Sequence, residues 1–188
     1  INLLFIITIC SFAFVTIFED NVTNLSLSPL LIDQQVKSWL QFSQQFPNVT
    51  DNITPERLVL FKKAIALSDF ILRSAIQSPA VVVALFNSKQ LLTKQTPNYQ
   101  EMLEKKVTEC KSEEQLQHCL RMFRLEQMVH IAVGDFLLNI SLDESLKRLS
   151  SLADHLIIAA NNWLSIFCQE KWGTPVNSNG ERQRLLVY

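Results

Sequence analysis

From Ser28 to Lys171 apolar residues return at steps of three and four and are separated by polar ones, the spacing that gives a helix one greasy face. The breaks in that rhythm are marked chemically. Ser28-Pro29, Thr54-Pro55, Ser78-Pro79 and Thr96-Pro97 each set a hydroxyl before a proline. Proline suits the first helical position because its missing N–H has no partner there, and the hydroxyl can accept from an otherwise orphaned amide. The pattern predicts helices over about Pro29 to Phe46, Pro55 to Ile76, Pro79 to Phe86 and Pro97 to Cys110.

Two further helices follow, opened by Ser112-x-x-Gln115 and Ser141-x-x-Glu144, both capping boxes. The first carries LRMFRLEQMVHIAVGDF, Leu120 to Phe136, with an apolar stripe of Leu116, Leu120, Phe123, Met128, Ile131 and Ala132. Arg121 and Arg124 stand one turn apart beside it. Asp135 returns to nearly the same angular position as Arg124 at about 100° per residue. In the second, Leu142, Leu146, Leu149, Ala153, Leu156, Ala160, Trp163 and Phe167 form a seam expected to pack along its whole length. Gly173 and Pro175 end it, VNSNGER reads as a polar connector, and LLVY reads as a strand. The expected architecture is all-α, a bundle of about six helices (26–173), then a linker (174–183) and the first strand of an α/β domain (184–188).

Composition narrows the function. The chain has 188 residues, a net charge of −1 and only three glycines, so it has neither the basic field of a nucleic-acid binder nor room for phosphate-cradling glycine loops. Its first eighteen residues carry no charge and match a bilayer span in length, but no basic flank precedes them and no small-residue cleavage site follows. Residues 1–25 are read as a segment apart from the fold, with a membrane or signal role as the minor alternative. Five N-x-S/T sequons, at Asn21, Asn24, Asn48, Asn52 and Asn139, would suit a secreted glycoprotein, although Thr54 and Ser141 sit where N-caps are needed.

Cys10, Cys110, Cys119 and Cys168 would become an odd three if a leader were removed, which fits reduced thiols and a cytoplasmic setting better. No Cys or His spacing has a zinc pattern, so no metal ligand is assigned. Glu113-Glu114 and Asp143-Glu144 are adjacent carboxylates in first helical turns, where they favour the helix dipole.

LRMFRLEQMVHIAVGDF resembles the L-R-x-F-R-R-x-x-M-V-R-I-A-W-x-D segment of the bacterial glutamine synthetase adenylyltransferase/adenylyl-removing family. EKWGTPVNSNGERQRLLVY is similar to the stretch leading into that family's first nucleotidyltransferase domain, and ALSDFILRSAIQSPAVV is similar as well. The resemblance covers most of Ser26 to Tyr188. It departs from the pattern at Leu125, Glu126, His130 and Val133-Gly134, which weakens the arginine run.

The resemblance implies an enzyme that adds AMP from ATP to a tyrosine of glutamine synthetase and removes it by phosphorolysis, yielding ADP, under control of the PII signal protein. It implies Mg²⁺ held by carboxylates of an S-S-D-x-D motif, and a G-M-G-K-L-G-G-x-E-L-N loop beyond the LLVY strand. The 188 residues contain neither motif, so no catalytic, cofactor-binding or metal residue is expected among them. Arg121, Arg124 and Asp135 are the candidate domain-docking residues. The alternative from another class is a secreted or membrane-anchored helical glycoprotein of cytokine type.

Overall fold

A computed structural model describes residues 27–51 and 53–183. Helices α1 (Pro29–Gln45), α2 (Pro55–Leu67), α3 (Asp69–Gln77), α4 (Pro79–Asn87), α5 (Tyr99–Val107), α6 (Glu113–Leu138) and α7 (Leu142–Trp172) follow in order. The all-α expectation holds for the described residues. The LLVY strand falls at 185–188, outside them. The preceding connector folds back at Asn177–Glu181, where Gly180 N–H donates to the Asn177 carbonyl at 3.0 Å and Asn177 N–H to the Glu181 carbonyl at 2.9 Å. Gly180 takes the left-handed conformation (φ 79°) that closes this hairpin turn, and a single antiparallel bridge joins Val176 to Arg182.

Seven helices appear among the described residues rather than about six because Ser68 interrupts the segment read as one. Its backbone is extended (φ −140°, ψ 112°) and its hydroxyl accepts from the Ile71 amide at 3.3 Å, so it ends α2 and caps α3 together. The proline positions divide in two. Thr54 caps α2 through the Arg57 amide at 3.5 Å, whereas the Ser28 and Ser78 hydroxyls make no capping bond although Pro29 and Pro79 do open helices. Pro97 lies outside α5. Asn98 is the cap there, its side-chain oxygen accepting from the Glu101 amide at 3.2 Å.

Both capping boxes form at their first half, with Ser112 Oγ accepting from Gln115 N–H and Ser141 Oγ from Glu144 N–H at 3.3 Å each. Gln115 reaches back to the Lys111 amide, at 2.8 Å, rather than to that of Ser112. Asn139 (φ 52°) and Gly173 (φ 87°) supply the left-handed residues just beyond α6 and α7.

The chain forms two compact units. One gathers the described residues up to Gln95 with Glu126–Ser145. Its core is Phe42, Leu60, Phe61, Ile65, Ile71, Val82, Phe86, Leu91, Val129 and Val133, with Phe61 edge-on to Phe42 at 5.1 Å and to Phe86 at 4.9 Å. Here α3 and α4 meet at 115°, because the residue before Pro79 is held out of the helical conformation. Among the described residues no single helix is long and apolar enough to cross a membrane; this bent pair passes by length and composition, and its Ile71, Leu72, Ala75, Val82 and Phe86 are buried.

The other unit comprises Thr96–Leu125 and the chain from Leu146. Tyr99 lies edge-on to Phe123 at 6.3 Å and tilted against His155 at 6.2 Å. Trp163 donates from Nε1 to the Cys110 carbonyl at 3.1 Å, tying α7 to the α5–α6 connection.

Candidate domain-docking surface

The twenty-six residues of α6 run through both units. Leu116 and Phe123 are buried in one, and Val129, Ile131, Val133, Leu137 and Leu138 in the other. That leaves Arg121 and Arg124 on the exposed side, one turn apart, with both guanidinium groups available to a planar acceptor. Leu120, Met128 and Ala132, expected inside, are half-buried, while Gln127 and His130 are inside. His130 stands where the family pattern has arginine, and its Nε2 lies 3.0 Å from the Gln90 carbonyl. An imidazole ring N–H can satisfy that carbonyl within a packed core, so this departure from the pattern ties α6 to the 88–92 turn.

Asp135 is exposed and on the same face, but eleven residues along a helix is about 16 Å, beyond reach of Arg124. Its carboxylate instead accepts from the Ser145 hydroxyl, which joins the end of α6 to the start of α7. The structure thus brings Arg121 and Arg124 together and sets Asp135 apart as a helix-to-helix tie. Sequence reasoning passed over Ser145 because a serine three residues inside a helix gives no sign of a partner ten residues back.

The adjacent acidic pairs sit in first turns as expected, Glu113-Glu114 on α6 and Asp143-Glu144 on α7. The Glu114 carboxyl is held below its ordinary range by its own backbone N–H and by the Ser112 hydroxyl, the behaviour of a helix-start carboxylate. Among the described residues no group of three or more His, Cys, Asp or Glu side chains converges as a metal site would require.

The class these features define is a helical module with an exposed arginine pair on a helix that belongs to both units. Residues 58–188 match the family model of the glutamate–ammonia ligase adenylyltransferases. The chain belongs to that family. It is 33% identical over 168 residues to the bifunctional glutamine synthetase adenylyltransferase/adenylyl-removing enzyme of Shewanella woodyi, and 34% identical over 168 residues to that of Shewanella loihica. The protein of the same name from Shewanella oneidensis is 33% identical over 165 residues. The aligned region is 88–89% of this chain but spans only 17–18% of the length of these relatives. No solved structure matches the chain.

Proposed function

We propose that this chain is the helical part of a cytoplasmic enzyme that regulates glutamine synthetase, adding AMP from ATP to a tyrosine of the synthetase and removing it by phosphorolysis to ADP. The observation that carries this reading is the family match over residues 58–188, which includes all of α6 and α7. Mg²⁺ and the nucleotide belong to a nucleotidyltransferase domain whose carboxylate pair organises the phosphates for in-line transfer. The acidic pairs of this chain occupy helix starts and offer no such loop. Its own task is structural. Arg121 and Arg124 present paired donors to a carboxylate or carbonyl of that domain, while the Asp135–Ser145 contact fixes how α6 turns into α7. The PII signal protein is the regulatory partner.

The test is to express the gene's full natural reading frame and the 188-residue chain side by side and assay both on glutamine synthetase. The full product should transfer AMP and release it with phosphate, and the 188-residue chain should do neither. A full product inactive in both directions, or turnover by the 188-residue chain alone, would refute the proposal.

A further inference from the structure

The second half of α7 is a helix without a buried side. From Ala153 to Trp172, all of them described residues, no residue is buried, although ADHLIIAANNWLSIFCQEKW is rich in large apolar side chains. Trp163 marks the side turned to its own unit, since its Nε1 donates to the Cys110 carbonyl. About 120° further round, Ile158, Asn162, Ser165, Gln169 and Trp172 step by four and three along another face, and Ile166 borders it. Ile158, Ile166 and Trp172 are each more than half exposed. A helix in water draws most of its stability from packing its apolar face, and apolar surface left open along such a row marks an interaction site.

Two observations indicate what covers this face. The connector turns back at the Val176–Arg182 bridge, and Arg182 Nη2 donates to Gln169 Oε1 at 2.6 Å, within that row. The polypeptide therefore leaves Gln183 beside the exposed side chains, and the residues that come next, RLLVY, are mostly apolar. In the three relatives the aligned region is only 17–18% of the length, so most of their polypeptide lies outside it. A second copy fits less well, because the connector already occupies the end of the row at Gln169 and would obstruct an isologous pairing of two helices.

We propose that the Ala153–Trp172 half of α7 is a docking surface for the domain that follows the connector in the whole protein, whose apolar face lies over Ile158, Ile166 and Trp172. The inference rests on the reading of this chain as the helical part of a longer enzyme. It assigns α7, beside the arginine pair of α6, as the apolar half of the contact with that domain.

The test compares hydrogen exchange, read by mass spectrometry of peptides, in the 188-residue chain and in the product of the full natural reading frame. Amides between Leu156 and Glu170 should exchange roughly ten-fold more slowly or better in the full product, while those of α5, in the same unit, change much less. Replacing Ile158 and Ile166 together by glutamine, a good helix former, should leave the far-ultraviolet circular dichroism of the 188-residue chain unchanged and remove the extra protection from the full product. Equal exchange in the two proteins, extra protection that survives the double substitution, loss of helix in the substituted 188-residue chain, protection of that chain that grows with its own concentration, or a natural reading frame that stops at Tyr188 would each overturn the proposal. A full product that shows the protection but acts on glutamine synthetase in neither direction refutes the proposed function and leaves this interface standing. Activity without the protection does the reverse.

Discussion

Replacing Phe61 with alanine should unfold most of the first unit's margin of stability. Phe61 is fully buried on α2, in edge contact with Phe42 at 5.1 Å, Phe86 at 4.9 Å and Trp39 at 6.4 Å, so the ring joins α1, α2 and α4. Removing a buried phenyl group costs about 3–5 kcal/mol, through lost transfer free energy and the cavity left behind. Three helices meeting on one ring leave few neighbours able to close the gap, which places this site at the upper end. Phe61→Leu keeps much of the volume and gives up the ring contacts, at about 0.5–1.5 kcal/mol each before leucine regains part of them, so its cost should fall near 1–3 kcal/mol. Val59→Ala is the control, two residues away on the same helix and 41% exposed; it should cost less than about 1 kcal/mol. Urea unfolding followed by far-ultraviolet circular dichroism reads all three. With a slope near 2 kcal/mol per molar urea, Phe61→Ala should lower the midpoint by roughly 2 M at unchanged slope. Midpoints for Phe61→Ala and Val59→Ala that agree within error would refute this account of the core.

Ser68→Ala should destabilise the same unit by about 1 kcal/mol in urea, because one hydroxyl caps α3 at the only residue separating it from α2; Asn98→Ala should cost about as much at α5. Burial holds the Lys63 ammonium below its ordinary value, so between that lowered value and 10.5 the unfolded chain binds more protons and stability should rise as pH rises through the window. Lys63→Met should flatten the rise in thermal scans across alkaline buffers, and an unchanged slope would count against it. Arg124→Ala should leave the 188-residue chain within about 0.5 kcal/mol of the parent, since the side chain is exposed. In the full-length enzyme proposed above, with the docking role proposed for Arg124, loss of a charge-assisted hydrogen bond worth about 1.5–3 kcal/mol should lower adenylyl removal by roughly ten-fold or more and leave adenylylation largely intact. Equal loss of both activities, or of neither, would return Arg124 to a solvated helix face.

The helices were legible where local chemistry alone decides. Ser112 and Ser141 cap as their sequences require, and the prolines at 29, 55 and 79 open helices because φ and the missing N–H are intrinsic to the residue. Ser68 escaped notice because it stands in an apolar stretch without a proline, where serine is equally compatible with a helix interior. Asn98 was missed for the opposite reason, since Thr96-Pro97 just before it carries the stronger written signal. The exposed pair Arg121 and Arg124 followed from spacing. The partner of Asp135 did not, because a shared angular position says nothing about separation along the axis.

The register of α7 shows why a regular apolar seam is not the same thing as a buried face. Leu142, Leu146 and Leu149 begin the seam in perfect steps, yet they are 72%, 52% and 38% exposed, and the expectation of packing along the whole length fails at this end. The face turned inward is set about a quarter turn away, through Ser145, Arg148 and Leu152, all less than 4% exposed. Two of those three are polar, and each has a reason to be inside that hydropathy does not register. Ser145 bonds the Asp135 carboxylate, and Arg148 brings a long methylene stem that can pack against apolar neighbours. Farther along, Trp163 combines both demands, stacking on Phe167 at 4.8 Å and donating to the Cys110 carbonyl. Hydrophobic periodicity therefore establishes that α7 is a helix, while its rotation is chosen by a few polar groups whose partners lie on another segment, and those pairings only three-dimensional structure can supply.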